Sequence, residues 1–151
     1  MNLFELKTDP KAELAGQWIK WPDPKSNAEF LIAALNNEKY KRKMFKLSRA
    51  RIQADRKYRE DPIAWEETET EVMATTILLN WRGEVYLRRA GEAVEFSKEA
   101  AIEALGIPDF RNWVKEEATR LENYQKNGEA ASTAALKSGT AVVSEIPEPG
   151  E

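Results

Sequence analysis

Apolar positions along residues 36–59 recur at helical intervals. Tyr40, Met44, Leu47, Arg51, Ala54 and Tyr58 fall at spacings of four, three, four, three and four, and only Arg51 interrupts the stripe. One buried face of an amphipathic helix has this period. Asn36 or Asn37 is placed to cap it, and Pro62 to stop it or to start the next helix. A second helix is expected over 63–79, with Trp65, Val72, Thr76 and Leu79 near one face and Met73 and Ile77 widening it. Gly83 in "NWRG" would then close it in a left-handed conformation. Residues 97–106 spell a short helix, with Ser97 as cap, Glu99 in the first turn and Gly106 at the end. The last helical pattern starts at Pro108 or Asp109 and carries Phe110, Trp113, Val114, Ala118, Leu121 and Tyr124 on one stripe.

The N-terminal part has another period. Trp18, Ile19 and Trp21 are good strand formers, "PDPKSN" is a dense turn signal, and "EFLIAAL" is a second apolar run. Residues 17–21 against about 28–34 are expected to form a β-hairpin. The competing reading makes "AEFLIAAL" the start of the following helix, and pattern alone does not separate the two. Residues 1–15 read as a loose lead-in. "EVYLRRAGEAVEF" reads as a connector in which Val85 and Leu87 alternate as in one short strand. After Asn127 there is no aromatic residue, and the chain ends in a Pro/Gly/Glu cluster, so 127–151 is expected to be a flexible tail. The fold expected is mostly helical α+β, a hairpin packed on about four helices within residues 16–126.

Composition changes the picture by removal. The 151 residues include no cysteine and no histidine. Disulfides and thiolate metal sites are excluded, and so are Ser-His-Asp and Cys-His catalysis. Glu67 and Glu71 stand four apart on a helix, but without histidine or an Asp-rich loop they are a weak metal signal. No cofactor is expected. No apolar run approaches the ~18–20 residues that cross a bilayer, and nothing resembles a signal peptide, which makes the cytoplasm the default compartment.

Charge is distributed in blocks. Residues 41–59 hold nine Lys/Arg, Lys41, Arg42, Lys43 and Lys46 among them, against Asp55 alone. The next twelve residues hold six acids, including Glu66 and Glu67, and no base. Two antiparallel helices would neutralise each other, or neighbouring copies would pair head to tail. A basic helix also tracks phosphates, but the net charge of −3 argues against a general nucleic-acid binder. Among the five tryptophans, Trp65, Trp81 and Trp113 fit core faces. Trp18 and Trp21 point to opposite sides of a strand, so one suits the core and the other a partner. The cluster Ile77, Leu78, Leu79, Trp81 and Val85 around Gly83 reads as buried turn, with a sticky surface for another protein as the alternative.

Three stretches in order carry a resemblance: "GQWIKWPDPKSNAEFLIAALNNEKYKRKM", "ILLNWRG" and "EFSKEAAIEALGIPDFRNWVKEEATRLENY". Over residues 16–124 the arrangement resembles the tail assembly chaperones of long, non-contractile-tailed bacteriophages, the lambda-type tail assembly proteins, in their short form. The resemblance implies a non-catalytic factor of the host cytoplasm, lost from the finished particle. It would bind and solubilise the tape measure protein and promote tail tube polymerisation. A frameshift-extended form would recruit the major tail protein. The family supplies no residue-level motif. The residues themselves offer Trp18, Trp21, Lys41, Arg42, Lys43, Lys46, Glu66, Glu67 and Trp81 as candidate contacts, with self-association among the expected interactions. The alternative is a nucleic-acid-associated accessory protein using the basic helix 41–59.

Overall fold

A computed structural model describes residues 1–125. The tail expected over 127–151 lies outside them. Among the described residues the fold is α+β: a three-stranded antiparallel sheet, ordered β1-β2-β3, with five α-helices. β1 (Gln17–Lys20) and β2 (Glu29–Ile32) form the hairpin read from the sequence, with Trp18 opposite Leu31 and Ile19 opposite Phe30. Its turn is held by side chains. The Asp23 carboxylate accepts the Lys25 amide at 2.9 Å, and the Ser26 hydroxyl accepts the Ala28 amide at 3.1 Å. "EFLI" is therefore strand and not the start of a helix.

The lead-in is folded. A 3₁₀ turn at Leu3–Leu6 precedes α1 (Pro10–Ala15), whose first turn is capped by the Asp9 side chain. The segment is pinned by its backbone: the Asp9 amide donates to the Tyr124 carbonyl at 2.8 Å, and the Ala34 amide to the Glu13 carbonyl at 3.0 Å. Pattern reading missed this because the side chains of the first turn are exposed and the ordering bonds are backbone ones.

α2 (Glu38–Ala54) begins where expected, capped by the Asn37 side chain, which accepts the Tyr40 amide at 2.9 Å. It ends earlier than expected. The Asp55 carboxylate takes the Lys57 amide at 3.0 Å, and the chain continues as a 3₁₀ turn, Arg56–Glu60. α3 (Pro62–Thr76) runs antiparallel to α2. Lys43 reaches Thr75, and Arg51 reaches Thr68 and Glu71.

The second helix does not reach Leu79; residues Leu78–Arg82 are β3, paired with β2 so that Phe30 faces Trp81 and Ile32 faces Leu78. Isolated apolar runs fit helix or strand, and a free edge on β2 decides this one. Gly83 has φ of +86°, as expected of a left-handed glycine, but it follows a strand and caps no helix. The connector after it forms no strand; a backbone bond from the Val94 amide to the Val85 carbonyl at 2.7 Å folds it back.

α4 (Lys98–Leu105) carries the Ser97 cap. α5 (Pro108–Thr119) stops before the end of its apolar stripe; Leu121–Asn123 is a 3₁₀ turn and Leu121 is exposed. The Asn123 side chain donates to the Glu117 carbonyl at 3.0 Å, satisfying one of the helix-end acceptors. Tyr124 is nevertheless buried, its hydroxyl donating to the Ile32 carbonyl at 2.9 Å.

The core lies between the inner face of the sheet and α3, α4 and α5. Phe30, Ile32, Leu78 and Trp81 from the sheet meet Met73 and Ile77, Ala101, Leu105 and Val114. The turn around Gly83 is thus mostly core: Ile77, Leu78 and Trp81 are buried. Trp65, expected in the core, is exposed beside Tyr58.

Candidate interaction surfaces

Two concave surfaces stand out. The first is an apolar cleft where the hairpin meets α5 and the connector. Trp21, Phe30 and Phe110 build one side, Val85 and Leu87 the other. The three aromatic rings lie 5.0 to 6.3 Å apart, and Trp113 closes on Trp21 at 4.8 Å in an edge-on arrangement. Such tilted and edge-on contacts fix ring positions more firmly than apolar burial alone. Tyr86 and Ile107 stand exposed at the mouth, and the cleft has a volume of about 310 Å³.

The second is an open groove of about 780 Å³ between α2 and the C-terminal half of α3. Lys39, Arg42, Lys43 and Lys46 line it from one face of α2. Leu47 and Ala50 form an apolar floor, and Glu71, Thr75 and Thr76 come from α3.

The structure separates the residues singled out from the sequence. Arg42, Lys43 and Lys46 share the groove, while Lys41 lies outside its lining. Trp21 belongs to the cleft. Trp18 lies on the opposite face of the sheet, with the Arg82 guanidinium 4.0 Å above its ring and Glu29 pairing that guanidinium at 2.5 Å. Trp81 is buried, and its indole N–H donates to the Val94 carbonyl at 2.8 Å. Glu66 and Glu67 are exposed near the start of α3, above a recess shared with Thr70, Ile102 and Arg111.

Mutual neutralisation of the two charge blocks is mostly absent. Among the described residues, Arg51–Glu71 at 2.9 Å is the one ion pair linking the basic run 41–59 to the acidic run 60–71. Glu71 is therefore committed to an arginine, which removes it as a partner for Glu67 in holding a metal. Glu69, more buried than Glu71, turns inward to α5. It accepts from Arg111, from Lys115 at 3.1 Å and from the Tyr40 hydroxyl at 3.0 Å, while Arg111 also donates to Thr70. Burial alone would raise the Glu69 carboxyl, but these donors, Lys115 foremost, hold it below the usual carboxylate range. Burial and the Glu69 charge push the Tyr40 hydroxyl well above its ordinary value. This network escaped sequence reading. Its signal was Arg111 standing three and seven residues before Val114 and Ala118, on the buried face of α5.

Among the described residues no helix is long and apolar enough to cross a membrane. The fold and its surfaces are those of a small α+β protein. The YdaY prophage protein family matches residues 35–134, about two-thirds of the chain, and the chain belongs to that family. No curated protein and no solved structure matches it.

Proposed function

We propose that this prophage protein is a tail assembly chaperone that works by reversible binding and not by catalysis. Its client would be the tape measure protein of its own phage, held soluble in the host cytoplasm until tube subunits polymerise around it. The observation that carries the reading is the cleft of Trp21, Phe30, Phe110, Val85 and Leu87, with Tyr86 and Ile107 exposed at its mouth. Its volume of about 310 Å³ suits one or two large apolar side chains of a client helix. Aromatic-lined pockets of this kind concentrate binding energy, and an amphipathic helix offers its anchors at i, i+3 and i+4. Membership of a prophage family and the resemblance of residues 16–124 to tail assembly chaperones support the same reading. Recruitment of the major tail protein through a frameshift-extended form belongs to the same proposal.

The test is co-expression of the full chain with the tape measure protein of the same phage. The client should move from the pellet to the soluble fraction, and Ile107→Asp or Tyr86→Asp should return it to the pellet. A tape measure protein equally insoluble with and without the chain would refute the proposal. The groove residues Lys39, Arg42, Lys43 and Lys46 favour a second reading, a nucleic-acid-associated accessory protein. Binding to DNA or RNA that weakens steeply with salt would support it.

A further inference from the structure

The basic groove and the start of α3 carry opposite charges, both around apolar residues, on one rigid pair of helices. Lys39, Arg42, Lys43 and Lys46 stand at i, i+3, i+4 and i+7, so they project from one face of α2, over the floor of Leu47 and Ala50. Ile63, Glu66 and Glu67 stand at i, i+3 and i+4, so they too share a face. Ile63 is 68% exposed, which is unusual for an isoleucine in a helix that buries six of its residues. Among the described residues, Lys39, Lys43, Lys46, Glu66 and Glu67 take part in no ion pair.

We propose that these two surfaces bind each other between copies of this chain: the Ile63–Glu66–Glu67 face of one copy seats in the α2–α3 groove of the next. One copy cannot satisfy itself. The groove meets α3 at Glu71, Thr75 and Thr76, while the acidic face lies around Glu66. Thr75 stands nine positions after Glu66 on the same helix, a rise of ~13 Å. The contact therefore joins two different patches, and it propagates from copy to copy as a ring or an open array. Ile63 meets the Leu47–Ala50 floor and supplies apolar burial, while the charges fix direction and exclude the groove-to-groove arrangement. The apolar floor, and Glu71 in the groove wall, favour a protein occupant over a phosphate backbone. The inference stands apart from the tail assembly reading. A chain that assembles but leaves the tape measure protein insoluble would sink that reading and keep this one.

Sedimentation velocity of the full chain tests it. The wild-type protein should form species above monomer that grow with concentration and shrink as salt is raised. Lys43→Glu with Lys46→Glu, and separately Glu66→Lys with Glu67→Lys, should each sediment as monomer with an unchanged thermal melt. An equimolar mixture of the two variants should regain assembly, because every acidic face then meets a basic one. That regain also shows both variants to be folded. A wild-type chain that stays monomeric, variants that keep wild-type assembly, or a mixture that stays monomeric would each overturn the proposal. So would a monomeric wild-type chain whose groove instead binds a duplex DNA probe, with binding lost in the lysine variant.

Discussion

Arg111 of α5 and Glu69 of α3 form an ion pair whose side chains are only 8% and 15% exposed. The pair ties α5 to the middle of α3, and the Tyr40 hydroxyl extends the tie to α2. Removing one member of a buried pair leaves the other charged and poorly solvated, at a cost of about 3–5 kcal/mol. Lys115 still reaches Glu69 at 3.1 Å, so the low end applies. Arg111→Met should lower unfolding stability by about 3 kcal/mol in urea titration. A neutral result would mean that α5 is positioned by its apolar stripe alone.

The same network sets an acid limit. The Glu69 carboxyl is held below its reference value of 4.5 in the fold. A depressed folded value means that the stabilisation is fully present above the unfolded value and is lost as pH falls through the folded one. The melting temperature should therefore hold from neutrality down to about 4.5 and then drop. Glu69→Gln should melt lower than wild type at neutral pH, and the gap should narrow below that point. A gap independent of pH would assign the loss to packing and not to charge.

The elements with strong local signals were legible in the sequence. The hairpin was, because "PDPKSN" fixes its turn. α2 was, because Asn37 caps a stripe of regular period, and α4 was, because Ser97 and Gly106 bracket it. What failed were decisions made at long range. Leu78 and Leu79 read as the end of a helix, and Asn80–Arg82 as its stop, until β2 offers its free edge. Leu121 reads as core until α5 stops at Thr119. For the candidate contacts, the basic run 41–59 pointed to Lys41, Arg42, Lys43 and Lys46 as a block; the helix face that gathers Arg42, Lys43 and Lys46 and leaves Lys41 out is seen only in the structure. The sequence did not reveal the apolar cleft, whose walls come from the hairpin, the connector and α5, segments far apart in the chain, nor that Trp81 is spent in the core.

Asn37 is fully buried and uses both ends of its amide. Its nitrogen donates to the Ala34 carbonyl at 2.7 Å and the Thr76 carbonyl at 3.0 Å, while its oxygen caps α2. It thereby clamps the start of α2 to the end of α3. Asn37→Ala should cost about 2–3 kcal/mol, combining a lost cap with buried carbonyls left without a donor. Asn37→Asp keeps the cap acceptor but turns a carboxylate oxygen toward those two carbonyls. It should destabilise at least as much as alanine at neutral pH, read by chemical denaturation. Recovery of wild-type stability in the aspartate variant would show that capping alone matters.

Gly83 joins the end of β3 to the hairpin turn through the tightest approach at any glycine described. Its φ is +86°, and a Cβ there would stand 2.3 Å from the Asn27 carbonyl oxygen. The Asn27 side chain in turn accepts the Glu84 amide at 2.8 Å, so neither partner can withdraw without breaking the link. Gly83→Ala combines a left-handed backbone with a backbone clash, and should cost about 2 kcal/mol or more in unfolding stability. Gly91 provides the control. Its φ is +141°, but the nearest atom to a Cβ there is 3.9 Å away. Gly91→Ala should therefore carry backbone strain without collision and lose less. Because the loop after Gly83 forms one wall of the apolar cleft, the proposed chaperone function adds that Gly83→Ala should weaken solubilisation of the tape measure protein at temperatures where the domain remains folded. Equal stability of the two variants would mean that the Asn27 turn yields, and that the wall of the cleft is softer than its hydrogen bonds imply.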